Sequence, residues 1–454
     1  MFNNMRRFSL NAGRISLVYI LIFTAVAAID LTIVYYVSYS GIELPTSAYI
    51  SLFVIFCLIF AISSIKLLKT VKETIAKSNG LPSRLRYYHV IIYASQSVMV
   101  AIMAGIILQM GYLNKYNLVF LQISTYLCHI SASLFLIILI SMFIRWLKSR
   151  KNYVMLLYVI SFILILCNII VSMIYLEYQY SFTNSAFRRP YPINSYVINQ
   201  SITQLGESLA TLYDLLSISS FSVIWIATFT LLKQYRYKLG KVKFFTLLII
   251  PLIYYLFPFQ SYFGNMFSDL VMASPVAFGM IYVLIFSATK QVGALLFSLA
   301  FWTASRLVVK DLVSKSLLIS AIGMAMLFGS IDITALQYRL YPPFGLVTMA
   351  FMPLGSYMLL IGIFTSATGV SRDAKLRREF YKSVESRLSL LKVMGVTEME
   401  NQLLKEYKQR MNHYKSLEKY EYPQLEQKDV KYMIHDVISE LQSRENATKK
   451  FNIK

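Results

Sequence analysis

Stretches of some 20 or more mostly apolar residues recur along the chain, set apart by short polar or basic segments. They lie near 15–38, 47–68, 88–111, 117–144, 153–177 and 207–232, then, more crowded, near 244–263, 270–289, 291–309, 316–338 and 342–368. About 20 apolar residues in a helix match the ~30 Å hydrocarbon layer of a bilayer. A helix also satisfies its own backbone polar groups, which lipid cannot do. The pattern predicts an all-α fold, a polytopic transmembrane helical bundle of 10–11 helices over 1–369. Residues 370–454 read as a C-terminal amphipathic helical tail. Composition agrees, since 57% of residues are hydrophobic and only 15% charged, against about a quarter charged in a soluble domain. The lipid bilayer is therefore the first partner expected, and the localisation is a multi-pass protein of the cell membrane.

The net charge of +22 invites a nucleic-acid reading, which the distribution of charge argues against. Residues 1–369 hold 26 Lys+Arg and 9 Asp+Glu, while 370–454 hold 18 and 13. Most of the excess sits in short loops between apolar runs, as the positive-inside bias requires. Nucleic acid is not an expected partner. Arg6, Arg7 and Arg14 place the N-terminus inside. Lys66, Lys69, Lys72, Lys77, Arg84 and Arg86 mark the second loop as inside, Arg145, Lys148, Arg150 and Lys151 the fourth, and Lys233, Arg236, Lys238, Lys241 and Lys243 the sixth. The longest outside loop, 179–206, carries Arg188 and Arg189 and the sequon Asn199-Gln200-Ser201. Ala25-Val26-Ala27 resembles a signal-peptide cleavage site. The apolar run continues through Ile33, Val34 and Val37, so an uncleaved first helix is the expectation.

The second half breaks the alternation. Arg306, Lys310 and Lys315 argue for an inside loop one crossing out of phase with 233–243, and Arg372, Lys375, Arg377 and Arg378 argue for an inside tail. Ten crossings with both ends inside follow if one segment between 244 and 310 is re-entrant, broken or interfacial. Pro251, Pro258, Gly264 and Pro275 supply breaking points. In the tail, Leu376, Phe380, Val384, Leu388 and Leu391 share one helical face. Gly395 is expected to interrupt this helix. Thr397 and Glu400 form a capping-box pattern ahead of a stripe through Met399, Leu403, Tyr407, Met411 and Tyr414. Pro423 breaks that helix, and Val430, Met433, Val437 and Leu441 mark a third. Stripes of this kind call for a partner, and 376–441 is expected to serve a protein partner or self-association.

Acidic residues inside apolar helices are costly and are functional by default. Asp30, Glu207, Asp214 and Asp332 are the intramembrane carboxylates, four of the nine acids before residue 370. Glu207 and Asp214 are seven apart and share a helix face. Such groups suit a proton or coupling-ion pathway, and equally suit pairing with a basic residue or a hydrogen bond between helices. His129 stands four residues from Thr125 and seven from Gln122, and reads as a proton relay or as a histidine hydrogen-bonded to a neighbouring helix. Ser97, Ala101 and Gly105 suggest close helix packing. Cys57, Cys128 and Cys167 are isolated in apolar runs and read as small buried hydrophobes, with no disulfide framework implied. His435-Asp436 superficially resembles a phospho-acceptor site, but no nucleotide-binding segment follows. Metalloprotease, phosphate-loop, nucleophile-elbow and dinucleotide patterns are absent from the sequence. No catalytic residue, no metal site and no cofactor is therefore expected, and an enzyme is the least supported class.

One stretch carries a resemblance. It begins with Phe301-Trp302-Thr303-Ala304-Ser305-Arg306, Leu317-Leu318-Ile319-Ser320-Ala321-Ile322-Gly323 and Tyr341-Pro342-Pro343-Phe344-Gly345. Gly362-Ile363-Phe364-Thr365-Ser366-Ala367 and Asp373-Ala374-Lys375-Leu376-Arg377 complete it. This stretch resembles uncharacterised multi-pass membrane proteins of ammonia-oxidising archaea, a group whose activity is not known, so the resemblance implies habitat more than function. The same stretch is similar to the seven-helix membrane sensor region found ahead of histidine kinases, in which a final helix runs directly into a cytoplasmic helical output. No kinase domain follows in this sequence, so phosphorylation is not implied. The expectation is a membrane sensor or scaffold that relays to partners through its helical tail; the alternative is an ion-coupled secondary transporter. No convincing internal repeat of the kind common in transporters joins the two halves.

Overall fold

The computed structural model describes residues 18–30, 32–33, 45–77, 84–149, 152–181, 187–188, 204–233, 236, 240–256, 289–307, 311–331, 341–372 and 389–417. Among these, the apolar runs are helices: α1 (Val18–Asp30), then α2 (Thr46–Lys77), α3 (Arg84–Leu113), α4 (Leu118–Ser149), α5 (Tyr153–Ser181), α6 (Gln204–Lys233), α7 (Lys241–Leu256), α8 (Thr289–Leu307), α9 (Asp311–Ser330), α10 (Leu346–Arg372) and α11 (Ser389–Leu417). Seven of them, α2 to α6 with α9 and α10, are long and apolar enough to cross a membrane. Two two-residue strands, β1 (Tyr116–Asn117) and β2 (Phe187–Arg188), pair antiparallel. They tie the α3–α4 link to the segment after α5. The protein is an all-α polytopic bundle.

Helix starts follow local chemistry. The Asn117 side chain accepts from the Val119 N–H at 3.0 Å, and Asn152 accepts from Val154 and Met155 at 2.9 and 3.3 Å. Each satisfies donors that a first helical turn leaves open. Gly240, with φ of +81°, turns the chain into α7.

α10 is the hub. Its apolar window is entirely buried, whereas that of α2 is one-third buried, at 33%. It packs against α2, α3, α4, α9 and α11. The tightest pair is α9 with α10, antiparallel. A Cβ on Gly323 would stand 2.5 Å from the Leu359 nitrogen, and one on Gly355 2.6 Å from the Leu327 nitrogen. Small residues permit this approach, and in lipid such packing replaces the hydrophobic drive. The stripe of Ser97, Ala101 and Gly105 does not play that part within the chain. Ser97 and Ala101 face outward, and α3 instead buries Ile92, Met99, Met103, Ile106 and Met110. Aromatic edges fill the hub's outer half. Phe351 meets Phe60 and Phe23 edge-on at 4.9 and 5.3 Å, and Phe344 meets Tyr49, Phe53 and Phe56.

Contacts set the direction of every helix. Asp30, at the end of α1, meets Gly345 at the start of α10, so the two run antiparallel. Phe53 near the start of α2 also meets Phe344, so α2 and α10 run parallel. His89 early in α3 reaches Tyr357, and Trp146 late in α4 reaches Glu398 beyond α10. The helices then alternate through α7, whose Tyr255 stacks flat on Phe221 of α6 at 3.6 Å. Phe221 also touches Phe297 and the Cβ position of Gly293 in early α8. Leu256 and Thr289 therefore lie at a similar level of the bundle. Successive helices from α1 to α10 thus run in alternating directions, and the start of α1 and the seat of α11 on α10 share one end. That end carries exposed Lys66, Lys69, Lys72, Arg145, Lys148, Lys233, Lys241, Arg306 and Arg372, whereas Asp30, Glu177, Glu207 and Asp214 lie toward the other. The segment 257–288, between α7 and α8, lies outside the described residues, and with it most of the stretch expected to hold a re-entrant or broken segment. Pro251 lies inside α7; Pro258, Gly264 and Pro275 lie outside the described residues.

The tail begins differently from its sequence pattern. α10 runs through Gly369-Val370-Ser371 to Arg372, so the 369/370 boundary falls within a helix. Gly395 does not interrupt: α11 is continuous across it, and Thr397 and Glu400 lie in its interior. Gly395 is there for proximity, because a Cβ would overlap the Val370 side chain. The face of 376–388, the stripe of 430–441 and His435-Asp436 lie outside the described residues.

Candidate functional site

Polar groups from four elements converge along α10, a helix lying wholly inside the bundle. From Gly345 to Arg372 the line is ~40 Å long at 1.5 Å per residue.

At the outer end stands Asp30, fully buried. Its Oδ1 accepts from the Gly345 N–H at 2.8 Å and its Oδ2 from the Thr348 hydroxyl at 2.5 Å. The Gly345 carbonyl accepts the Met349 N–H at 2.9 Å, which makes Gly345 the cap position of α10. A carboxylate from α1 thus supplies, across the fold, the capping usually made by a residue of the helix itself. The positive end of the helix dipole faces that carboxylate.

One turn inward, Pro353 lies within α10, so the Met349 carbonyl loses its helical donor. Beside it the Gln96 amide of α3 donates to the Ala350 carbonyl at 3.3 Å. The Gln96 Oε1 atom is buried and has no hydrogen-bond partner. Further inward His89 Nδ1 and the Tyr357 hydroxyl lie 3.0 Å apart, with Phe135 of α4 packed on the Tyr357 ring at 5.3 Å. At the basic end Trp146 Nε1 donates to Glu398 Oε2 at 3.3 Å. Burial pushes the Glu398 carboxyl above the ordinary carboxylate value, against the lowering pull of the Trp146 and Gln402 hydrogen bonds and of the Arg145 and Arg372 charges.

The sequence candidates divide accordingly. Asp30 joins this line. His129 is buried elsewhere, between α4 and α5. Its Nδ1–H donates to the Thr125 carbonyl at 2.7 Å, which makes Nε2 the acceptor facing the Ser172 hydroxyl at 3.4 Å. That is the hydrogen bond between helices that the sequence left open. On the same helix as Ser172, Asn168 and Ser161 are buried, and Asn168 Oδ1 and Ser161 Oγ have no hydrogen-bond partner. Glu207 is exposed and Asp214 half-buried near the outer end of α6; neither touches the α10 line. Asp332 lies outside the described residues. Cys57 and Cys128 are buried, Cys167 half-buried, and all three are free thiols. Among the described residues no three His, Cys, Asp or Glu side chains gather as a metal site would require.

Sequence reasoning missed His89, Gln96, Tyr357, Trp146 and Glu398. His89 lay at the margin of an apolar run, and Tyr357 is one of 34 tyrosines. The signal available was Pro353 within a Gly- and Ser-rich helix, which marks a backbone in need of outside donors and acceptors. No family model matches the chain, and neither the curated proteins nor the solved structures searched contain a match.

Proposed function

We propose that the chain is a membrane sensor or scaffold of the cell membrane whose bundle relays to partners through the tail. The observation that carries this reading is the seating of α11 on the inner end of α10, with Gly395 against Val370 and Ser371. α10 is the helix on which the polar contacts of α1 and α3 converge, and α11 rests directly on its end. A shift at Asp30 therefore has a rigid route to the tail, and a helix pair is a two-position element of the kind relays use. The test is hydrogen exchange in lipid nanodiscs. Asp30→Asn should raise exchange in α11, and an unchanged α11 beside a perturbed start of α10 would rule out the relay.

Ion-coupled transport is the second reading, favoured by one observation: among the described residues, Asp30 is a fully buried carboxylate with hydrogen-bond donors and no ion-pair partner. Proteoliposome uptake decides it. Transport that is lost in Asp214→Asn or Asp30→Asn would establish coupling through these groups.

A further inference from the structure

The contact between α11 and the bundle has a chemistry of its own. α11 buries Met394, Gly395, Val396 and Thr397 against α10 and α4, the helices it packs on. Beyond this apolar seat Glu398 meets the bundle directly, held by Trp146 of α4. Every element packed there contributes a charged or polar group: Arg145 and Trp146 from α4, Arg372 from α10, and Gln402 and Glu400 from α11 itself. Arg145 and Arg372 are exposed, so their attraction for Glu398 passes partly through solvent. The half-buried carboxylate meanwhile gives up much of its hydration. The Thr397 hydroxyl beside it is buried without a hydrogen-bond partner.

We propose that α11 is a proton-tightened latch on the basic end of the bundle: protonation of Glu398 closes it onto α4 and α10, and loss of that proton loosens it. Burial of Glu398 in the seat against Trp146 disfavours its charged form, so by linkage the proton favours docking. Stability of the dock is full at low pH and declines as pH rises through the window between the ordinary carboxylate value and the raised one. Each unit of difference makes the docking equilibrium about tenfold more favourable in the protonated form. The indole N–H of Trp146 donates equally well to a neutral carboxyl, so the hydrogen bond survives the change.

The latch refines the relay reading, yet it is measured without any partner, so failure of one leaves the other standing. Spin labels at Lys148→Cys on α4 and Lys405→Cys on α11, both exposed positions, report docking by their separation, with Cys57, Cys128 and Cys167 replaced by Ala. In nanodiscs the short-distance fraction should grow as pH falls from about 8 to about 4, a range that brackets the ordinary carboxylate value. In Glu398→Gln, which mimics the protonated group, that fraction should be high and flat across the range. Gly395→Val, which cannot seat on Val370, should show the long distance at every pH and so marks the open state. A wild-type distribution that does not move with pH overturns the latch, as does a Glu398→Gln protein that titrates like the wild type. A Glu398→Gln protein that opens would show that the charge itself holds the dock, also against the proposal.

Discussion

At the residue scale, Asp30 shows how a costly intramembrane charge becomes part of the frame. Its carboxylate takes the donors at the start of α10, and those donors have nowhere else to turn inside the bundle. Asp30→Ala should therefore lower stability by ~1–3 kcal/mol, the cost of leaving buried donors unmet. Asp30→Asn keeps an acceptor oxygen and should lose less. Thermal unfolding in detergent, followed by circular dichroism, distinguishes the two, and equal losses would show that charge rather than hydrogen bonding matters. The acid itself was legible in the sequence, because a carboxylate in an apolar run stands out. Its partners were not, since Gly345 and Thr348 are more than 300 positions away and neither residue type is unusual in a membrane helix. His129 was legible to the same degree: its Thr125 contact follows from a spacing of four, while Ser172 on α5 does not.

At the scale of elements, the α9–α10 pair decides the architecture. A methyl group on Gly362 would meet the Ser316 carbonyl and the Ser320 nitrogen at 2.6 Å, which are backbone atoms that cannot step aside. Gly362→Ala should destabilise the bundle by ~1–3 kcal/mol through overpacking. Gly111 in α3 has nothing within 4 Å of its Cβ position, and Gly111→Ala should be neutral or stabilising by up to ~1 kcal/mol, the ordinary helix preference for Ala. Unfolding of the two variants under identical conditions tests the contrast. Glycine and serine along α9 and α10 were visible in the sequence, but so was the Ser97–Ala101–Gly105 stripe of α3, whose Ser97 and Ala101 face outward. Small residues announce that a helix can approach closely; the fold chooses which pair does. The same holds for Gly395, whose helix-breaking reputation gave way because α11 needs a residue without a side chain where it crosses Val370.

At the scale of the molecule, the directions of α1 to α10 put the start of α1 and the seat of α11 at one end, and that end is the basic one. Positive residues mark the cytoplasmic side, so a C-terminal epitope should be protected in right-side-out vesicles and digested in inverted ones. Digestion of the C-terminal epitope in right-side-out vesicles would contradict the cytoplasmic placement of the basic end.

The sequence by itself determined the class of fold, because run length and apolar content are what a bilayer selects and both are properties of single segments. It also determined the basic side, since each short loop carries its own charge. Which helix lies at the centre was decided only by the tertiary structure. Lipid and protein interior are both apolar, so hydropathy does not separate a helix that faces lipid, such as α2, from one buried on all sides, such as α10. The distinction rests on small residues, a proline and polar side chains meeting across long stretches of chain, and those meetings exist only once the helices have packed.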